Sequence, residues 1–303
     1  MNEYQNRNRF FARLGLFVLC FCVIAIISPM VAIFQIRTYS YEIFEDKKIL
    51  FIGDSYVGQG VDDTVIPHAF NYACSADTFL TGFLRLRLVV RDNPQIDTVF
   101  LSVTPYNLSK GADEMIFRSS LVGMKVPYYL PHFGVDEWKL FLERAPVDFL
   151  RAVFMSPTVY LRKSKLQNRK YFKKLGHFNP RENKTLKKAI VGTMTLERDV
   201  SWTNDAQLIY LRKICDFCRE KNLRLVFLST PVYQAEKYTK LDDFYSLVKT
   251  KFSEFEFWDY TNYPMLDDER EDIGHLNAFG ARTFAKVLAE RLEKEAQVRP
   301  VKK

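Results

Sequence analysis

The stretch Lys48-Ile49-Leu50-Phe51-Ile52-Gly53-Asp54-Ser55 is a short continuous apolar run that ends in glycine and two polar residues. A run of that length without polar alternation fits a strand buried on both faces, as in a parallel sheet. Working outward, Ala69–Ala73 is a second, weaker run and Thr98–Val103 a third, stopped by Pro105. Leu223–Ser229 is a fourth, followed by Thr230-Pro231, and Phe255–Tyr260 is a short fifth. Helical spacing fills the intervals over Asp77–Arg91, Asn204–Lys221, Leu241–Phe252 and Ala278–Glu295. In Asp77–Arg91 the apolar positions are Phe79, Phe83, Leu84, Leu88 and Val89, with Arg85, Arg87 and Arg91 on the polar side. Alternation of this kind implies βαβ units, hence an α/β fold with a parallel sheet of about five strands between two helical layers. Ligands in such sheets bind at the carboxyl ends of the strands.

The alternation stops between about residues 108 and 203. Pro127, Pro131, Pro146, Pro157 and Pro180 punctuate aromatic-rich helical fragments there, which marks a helical insertion. Residues 161–190 carry eleven Lys/Arg against the single acid Glu182, a local charge of +10 in a chain whose formal total is +8. The rest of the chain is therefore near neutral, and no nucleic-acid-binding motif accompanies the excess. The basic run is either a solvated helical face or a contact for anionic lipid headgroups or an anionic glycan.

Leu14–Ile36 contains 23 residues without a charge, against the roughly 20 a bilayer span requires. A cleaved signal peptide would have a shorter apolar region and a small-x-small site after it. The expectation is an uncleaved anchor: residues 1–13 as a cytoplasmic tail, 14–36 as a single transmembrane helix, and 38–303 as an extracytoplasmic domain on the cytoplasmic membrane. Phe, Tyr and Trp supply 45 of the 303 residues and Gly and Pro only 24, which excludes a disordered or collagenous chain. Cys20 and Cys22 fall in the span, and Cys74, Cys215 and Cys218 make no disulfide framework. Cys215 and Cys218 form a C-x-x-C that is either a redox pair or two small apolar residues on one helix face.

Ser55 stands just past the first strand, at the ligand-binding edge, where Gly53 allows a sharp turn. A serine nucleophile needs a base, and the four histidines are His68, His132, His177 and His275. His275 lies just ahead of the terminal helix, with Asp272 three residues before it. In a tight turn that spacing lets the carboxylate accept the imidazole N–H and fix its tautomer. Gly53–Gly60 lacks the G-K-[ST] of a phosphate loop, no G-x-G-x-x-G opens a helix, and no close His/Cys/carboxylate cluster suggests a metal; no cofactor is implied.

Gly53-Asp54-Ser55 on the first strand, Asn107 after the third and Asp272-x-x-His275 before the last helix resemble the SGNH, or GDSL-type, hydrolases and acyltransferases. The resemblance covers roughly residues 47–107 and 204–296. It implies a flavodoxin-like three-layer sandwich with Ser55 as nucleophile, His275 as general base and Asp272 as its orienter. It also implies oxyanion donors from the Ser55 amide and Asn107. Tyr72-Ala73-Cys74-Ser75 occupies the place of the family's second glycine block, which makes Ser75 the candidate third donor. Asp54, Tyr56 and Tyr106 are the candidate substrate-binding neighbours, with Tyr56 in place of the family's usual Leu. With the anchor, the chain resembles the membrane-anchored transfer proteins of cell-wall D-alanylation and polysaccharide O-acetylation. That resemblance implies ping-pong acyl transfer through Ser55 onto an envelope glycan, beside a multi-pass membrane-bound O-acyltransferase as partner. The alternatives are a carbohydrate esterase with the same Ser-His-Asp residues and a non-catalytic envelope assembly protein.

Overall fold

The computed structural model describes residues 2–37, 40–164, 178–180, 206–233 and 241–298. They fall into two compact units, residues 41–118 with 172–303 (unit 2) and residues 1–40 with 119–171 (unit 1).

Unit 2 is built on five strands: β1 (Ile49–Ile52), β2 (Ala69–Asn71), β3 (Thr98–Ser102), β4 (Arg224–Ser229) and β5 (Glu256–Asp259). All neighbours pair in parallel, in the order β2-β1-β3-β4-β5. The register places Phe51 beside Phe100 and Leu228 beside Trp258. Because side chains alternate along a strand, two separate cores result. Phe51, Phe100, Val226, Leu228 and Trp258 meet α2 (Ser55–Gly60) and the terminal helix, which supplies Phe284, Ala285 and Leu288. The Phe51 and Phe100 rings stack at 4.7 Å, and Trp258 meets Phe100 edge-on at 4.9 Å. Leu50, Val99, Leu101 and Phe227 are equally buried and point the other way. Further helices of the unit are α3 (Phe79–Asp92), which packs on the helix Ala206–Glu220, and α4 (Lys110–Phe117). Thr78 caps α3 through a reciprocal pair of bonds with Thr81.

Strand order reverses between β1 and β3, so the crevice at their carboxyl ends is the topological switch point. Ser55 and Asn107 both follow strands that end there. The expected insertion begins near residue 108, but α4 belongs to unit 2: its Asp113 carboxylate accepts the Gln207 N–H at 3.2 Å. The excursion into a separate unit starts at Ser119.

Unit 1 joins α1 (Asn2–Arg37) to α5 (Ser119–Tyr129), α6 (Val135–Arg144) and α7 (Pro146–Ser164). In chain order the helices after it, in unit 2, are α8 (Ala206–Glu220), α9 (Leu241–Lys251) and α10 (Ala278–Val298). Phe133, Phe141 and Phe149 stack at the centre of unit 1, with 5.3 Å between the Phe141 and Phe149 rings. Arg37 at the end of α1 donates to the Pro131 carbonyl at 2.6 Å. The backbone of α1 is one helix that carries the whole uncharged run of residues 14–36. Among the described residues no helix is long and apolar enough to cross a membrane. The backbone of the run is described throughout, whereas several of its side chains are not. Most of the basic run of residues 161–190, with His177, also lies outside the described residues.

Candidate active site

The β1 strand ends at Ile52, and Gly53 turns the chain with φ +140°. A methyl group at Gly53 would sit 2.3 Å from the Ser102 Cβ on the neighbouring strand. Glycine therefore meets two demands here, a positive φ and a close approach of β1 to β3. Asp54 caps α2, accepting the Tyr56 N–H at 3.1 Å, and Ser55 opens that helix.

On the other side of the crevice, Asp272 organises the turn before α10. One carboxylate oxygen accepts the Gly274 N–H at 2.7 Å and the His275 N–H at 3.0 Å. The His275 Nδ1 lies 2.9 and 3.0 Å from the two Asp272 oxygens, so Nδ1 carries the proton and donates to the carboxylate. Nε2 is then the basic nitrogen, and it lies 2.8 Å from the Ser55 Oγ, as acceptor of the hydroxyl proton. Burial pushes the Asp272 carboxyl up. The bond from His275, the charge its ring carries when protonated and the two backbone N–H groups outweigh this and hold it below its ordinary value. Tyr56 stacks on the imidazole with ring centroids 5.2 Å apart, and its edge lies against Gly274. The ring is thus held on one face by an aromatic and on one edge by a carboxylate.

A buried network lies behind Ser55. Asp54 is 5% exposed. One of its oxygens accepts from Ser102 Oγ at 3.0 Å and from the Tyr56 N–H, and the other accepts from Asn107 Nδ2 at 2.7 Å. Asn107 Oδ1 accepts from the Thr104 N–H at 3.0 Å and the Thr104 hydroxyl at 2.8 Å. These bonds fix which end of the amide is nitrogen, and they leave Nδ2 one further hydrogen. The expectation that Asp54 contacts substrate is corrected: its carboxylate turns inward and is consumed by Ser102, Asn107 and the α2 cap. Burial raises its pKa despite those three donors and the nearby His275. Tyr106, half-buried, lines a small pocket with Tyr56, Thr104, Pro105, Thr230 and Val232.

The loop after β2 is tied to the Ser55 turn through its backbone. Cys74 donates to the Gly53 carbonyl at 2.9 Å. The Ser75 side chain is exposed, and Ala76 takes a left-handed φ of 54°, in the segment where the resembled family has glycine.

One feature is invisible in the helical pattern. Arg85 is fully buried, not on a polar face. It forms an ion pair with Asp77, donates to the Tyr72 carbonyl and donates to the Gly53 carbonyl at 3.2 Å. It thereby ties the ends of β1 and β2 beside the Ser55 turn. The signal for it is positional: Thr81, Leu84, Arg85 and Leu88 share one face at 3.6 residues per turn, so an arginine in that stripe must enter the core with a partner. Cys215 and Cys218 are unbonded and buried in α8. Burial pushes both thiols up, Cys218 to about 12, which is the behaviour of small apolar residues and not of a redox pair. Among the described residues no group of His, Cys, Asp or Glu is placed to hold a metal ion.

No protein-family model matches the chain, and no curated protein matches it. Among solved structures, it is similar to a GDSL-like lipase from Bacteroides thetaiotaomicron, with 9% identity over 86% of this chain and 95% of that one, at a TM-score of 0.40. It is similar to the same degree to a structure assigned as an acylhydrolase from Bacteroides fragilis, with 9% identity over 86% and 93% and a TM-score of 0.40. A likeness at this level carries no assignment.

Proposed function

We propose that the protein is a serine enzyme of acyl-ester chemistry, of the SGNH type, and that it transfers an acyl group onto a hydroxyl of an envelope glycan. The observation that carries the chemistry is the continuous chain from Ser55 Oγ through His275 Nε2 and Nδ1 to Asp272, closed by bonds of 2.8 and 2.9 Å. A serine hydroxyl is a weak nucleophile at neutral pH and needs a positioned base.

In this reading, Ser55 Oγ attacks the carbonyl carbon of an acyl donor while His275 Nε2 takes its proton. Asp272 stabilises the imidazolium that forms. The Ser55 backbone N–H and the second Asn107 amide hydrogen hold the developing oxyanion. The tetrahedral adduct collapses, the donor's leaving group takes the proton from His275, and the acyl group remains on Ser55. A sugar hydroxyl then attacks the acyl-serine, giving its proton to Nε2. Collapse releases the new ester and returns that proton to Ser55 Oγ.

The anchor supports the choice of an envelope acceptor. An uncharged run of 23 residues preceded by Arg7, Arg9 and Arg13 suits a single span with the remainder of the chain outside the cytoplasmic membrane. One span cannot carry acyl groups across the membrane, so a multi-pass membrane-bound O-acyltransferase is the proposed donor partner.

The test is to incubate the full chain with p-nitrophenyl acetate, with and without envelope oligosaccharides, and to follow both p-nitrophenol and acylated sugar. An acyl group recovered on the Ser55 peptide and diverted from water to sugar is the expected result. Turnover that depends on Ser55 but yields only acetate, whatever glycan is added, makes the protein an esterase. Turnover equal in Ser55→Ala rejects the catalytic reading and leaves an assembly protein.

A further inference from the structure

Apolar exposure is unevenly distributed over this chain. Among the described residues, 24 large apolar side chains are exposed, and 19 of them belong to unit 1. Unit 2, which holds the sheet and the Ser55 site, contributes only Phe44, Ile209, Leu266, Phe279 and Val298. Isolated exposed apolar residues are ordinary, whereas their concentration marks a surface that meets something apolar.

Eleven of the 19 lie on α1 between Phe10 and Phe34, and most of the others form two rows. On α6, Val135 is 83% exposed and is followed by Trp138 and Leu142; on α7, Val147 is 78% exposed and is followed by Leu150 and Phe154, the last 79% exposed. Both rows have the spacing i, i+3, i+7, which places each on one face of its helix. The rows are not a substitute for a core. Phe141, Phe149 and Ala152 on the same helices are buried, as is Ala145 between them, and they pack the interior of unit 1. Each helix therefore presents one apolar face inward and a second one outward.

We propose that the α6–α7 rows are a second membrane attachment, seated in the interfacial layer of an anionic bilayer beside α1. Three observations select lipid. First, α1 packs against α7, and Arg37 of α1 is bonded to Pro131 just before α6, so the rows share one compact body with the uncharged run. Second, α7 ends in Arg162-Lys163-Ser164, and the chain beyond continues the local charge of +10, which complements anionic headgroups. Third, Lys139 beside the α6 row and Arg151 beside the α7 row are exposed, Lys139 within 3.9 Å of the exposed Glu143, with Trp138 in the α6 row. Basic residues flanking a row of Trp, Leu and Phe are the pattern of helices that lie in the interface plane. The attachment rests on the anchor part of the proposed function and not on the Ser55 chemistry. It would hold unit 1 by two elements, so that this unit is fixed in orientation and not merely tethered.

The experiment uses the full chain in vesicles of phosphatidylcholine and phosphatidylglycerol. Cys20, Cys22 and Cys74 are replaced by Ala, while the buried Cys215 and Cys218 remain. A nitroxide is attached to Val147→Cys, Leu150→Cys or Phe154→Cys, with Leu19→Cys on α1 and Leu266→Cys in unit 2 as references. Collision with oxygen, which concentrates in lipid, and with a water-soluble nickel chelate is measured. The row labels should show several-fold more oxygen collision and several-fold less nickel collision than Leu266→Cys. In phosphatidylcholine alone they should move back toward the Leu266→Cys values. Row labels that match Leu266→Cys while Leu19→Cys still reads lipid would overturn the proposal and spare the anchor. Row labels shielded from both reagents would mean a protein cover, such as a second copy, and also overturn it. A water-exposed Leu19→Cys would remove anchor and attachment together, leaving the Ser55 chemistry to its own test.

Discussion

Ser55 Oγ and His275 Nε2 lie 2.8 Å apart although 220 residues of chain separate them. Each is placed by its own element: Ser55 by the turn after β1, His275 by the Asp272 turn before α10. Two groups that act on one proton act as a unit, so their removal is not additive. Ser55→Ala and His275→Ala should each lower kcat on p-nitrophenyl acetate by roughly 10⁴- to 10⁶-fold. The double variant should be little worse than either single one. Multiplying losses would show that the two residues act independently and would break the proposed mechanism.

On the proposed mechanism Asp272→Asn keeps the base but removes its orienter, and should cost less than His275→Ala, roughly 10²- to 10⁴-fold in kcat. It also changes the pH dependence of stability. The Asp272 carboxyl sits below its ordinary value, so it binds fewer protons folded than unfolded. Its contribution is present above the unfolded value of about 3.9 and is lost as pH falls through the lower folded value. Wild type should therefore lose more Tm than Asp272→Asn on acidification from about pH 5 to about pH 3. The side chain is 51% exposed, so solvent screening keeps this difference small. Parallel Tm profiles would mean that Asp272 makes no net electrostatic contribution in the folded state.

The strands are legible in the sequence because parallel strands buried on both faces must read as unbroken apolar runs. Leu50-Phe51-Ile52, Val99-Phe100-Leu101 and Leu225-Val226-Phe227 are such runs, and each lies in the observed sheet. The meeting of Ser55, Asp272 and His275 is legible for a topological reason: one end of the chain opens the sheet, the other closes it, and parallel strands bring both to the same edge. The network behind Ser55 is not legible. Asp54 could face substrate or core from its sequence position alone, and only the pairing of β1 with β3 brings Ser102 and Asn107 to it. Nor does the sequence show that residues 119–171 share a compact unit with α1, because no periodicity encodes contact between segments so far apart.

Gly53 and Gly123 make a matched pair. A methyl at Gly53 meets the Ser102 Cβ at 2.3 Å on a backbone of positive φ, whereas nothing lies within 4 Å of one at Gly123. Gly53→Ala should destabilise by about 2–4 kcal/mol, from strain plus overpacking. Gly123→Ala, inside α5, should be neutral or stabilise by up to about 1 kcal/mol through helix propensity. Chemical denaturation of the two variants decides this. An innocuous Gly53→Ala would mean that the Ser55 turn is not constrained as described.

Asn107 donates one amide hydrogen to Asp54, and its second is the proposed oxyanion donor. Asn107→Ala should lower kcat by about 10²- to 10³-fold with little change in KM, the loss expected for one oxyanion donor. Asn107→Asp keeps the size but presents an acceptor to Asp54, and should destabilise the fold unless the pair shares a proton. Steady-state kinetics beside thermal melts separate the two roles. A loss of stability without loss of kcat in Asn107→Ala would confine Asn107 to supporting Asp54.

Arg85 and Asp77 are both buried and paired, and Arg85 also holds the Gly53 and Tyr72 carbonyls. Arg85→Met leaves a carboxylate without its counter-charge in the core, at a cost of about 3–5 kcal/mol. Asp77→Leu strands the guanidinium in the same way. The double variant removes both charges at once and should be more stable than either single one, because a buried ion pair barely outweighs its own desolvation. Its activity should nonetheless stay low. The Gly53 carbonyl would lose the Arg85 guanidinium as a donor and keep the Cys74 N–H, so the peptide leading into Ser55 would be held less firmly. Stability regained without kcat in the double variant, with KM for p-nitrophenyl acetate unchanged, is the expected signature of a pair that positions the turn of the proposed nucleophile. Recovery of both together would reduce the pair to a packing element.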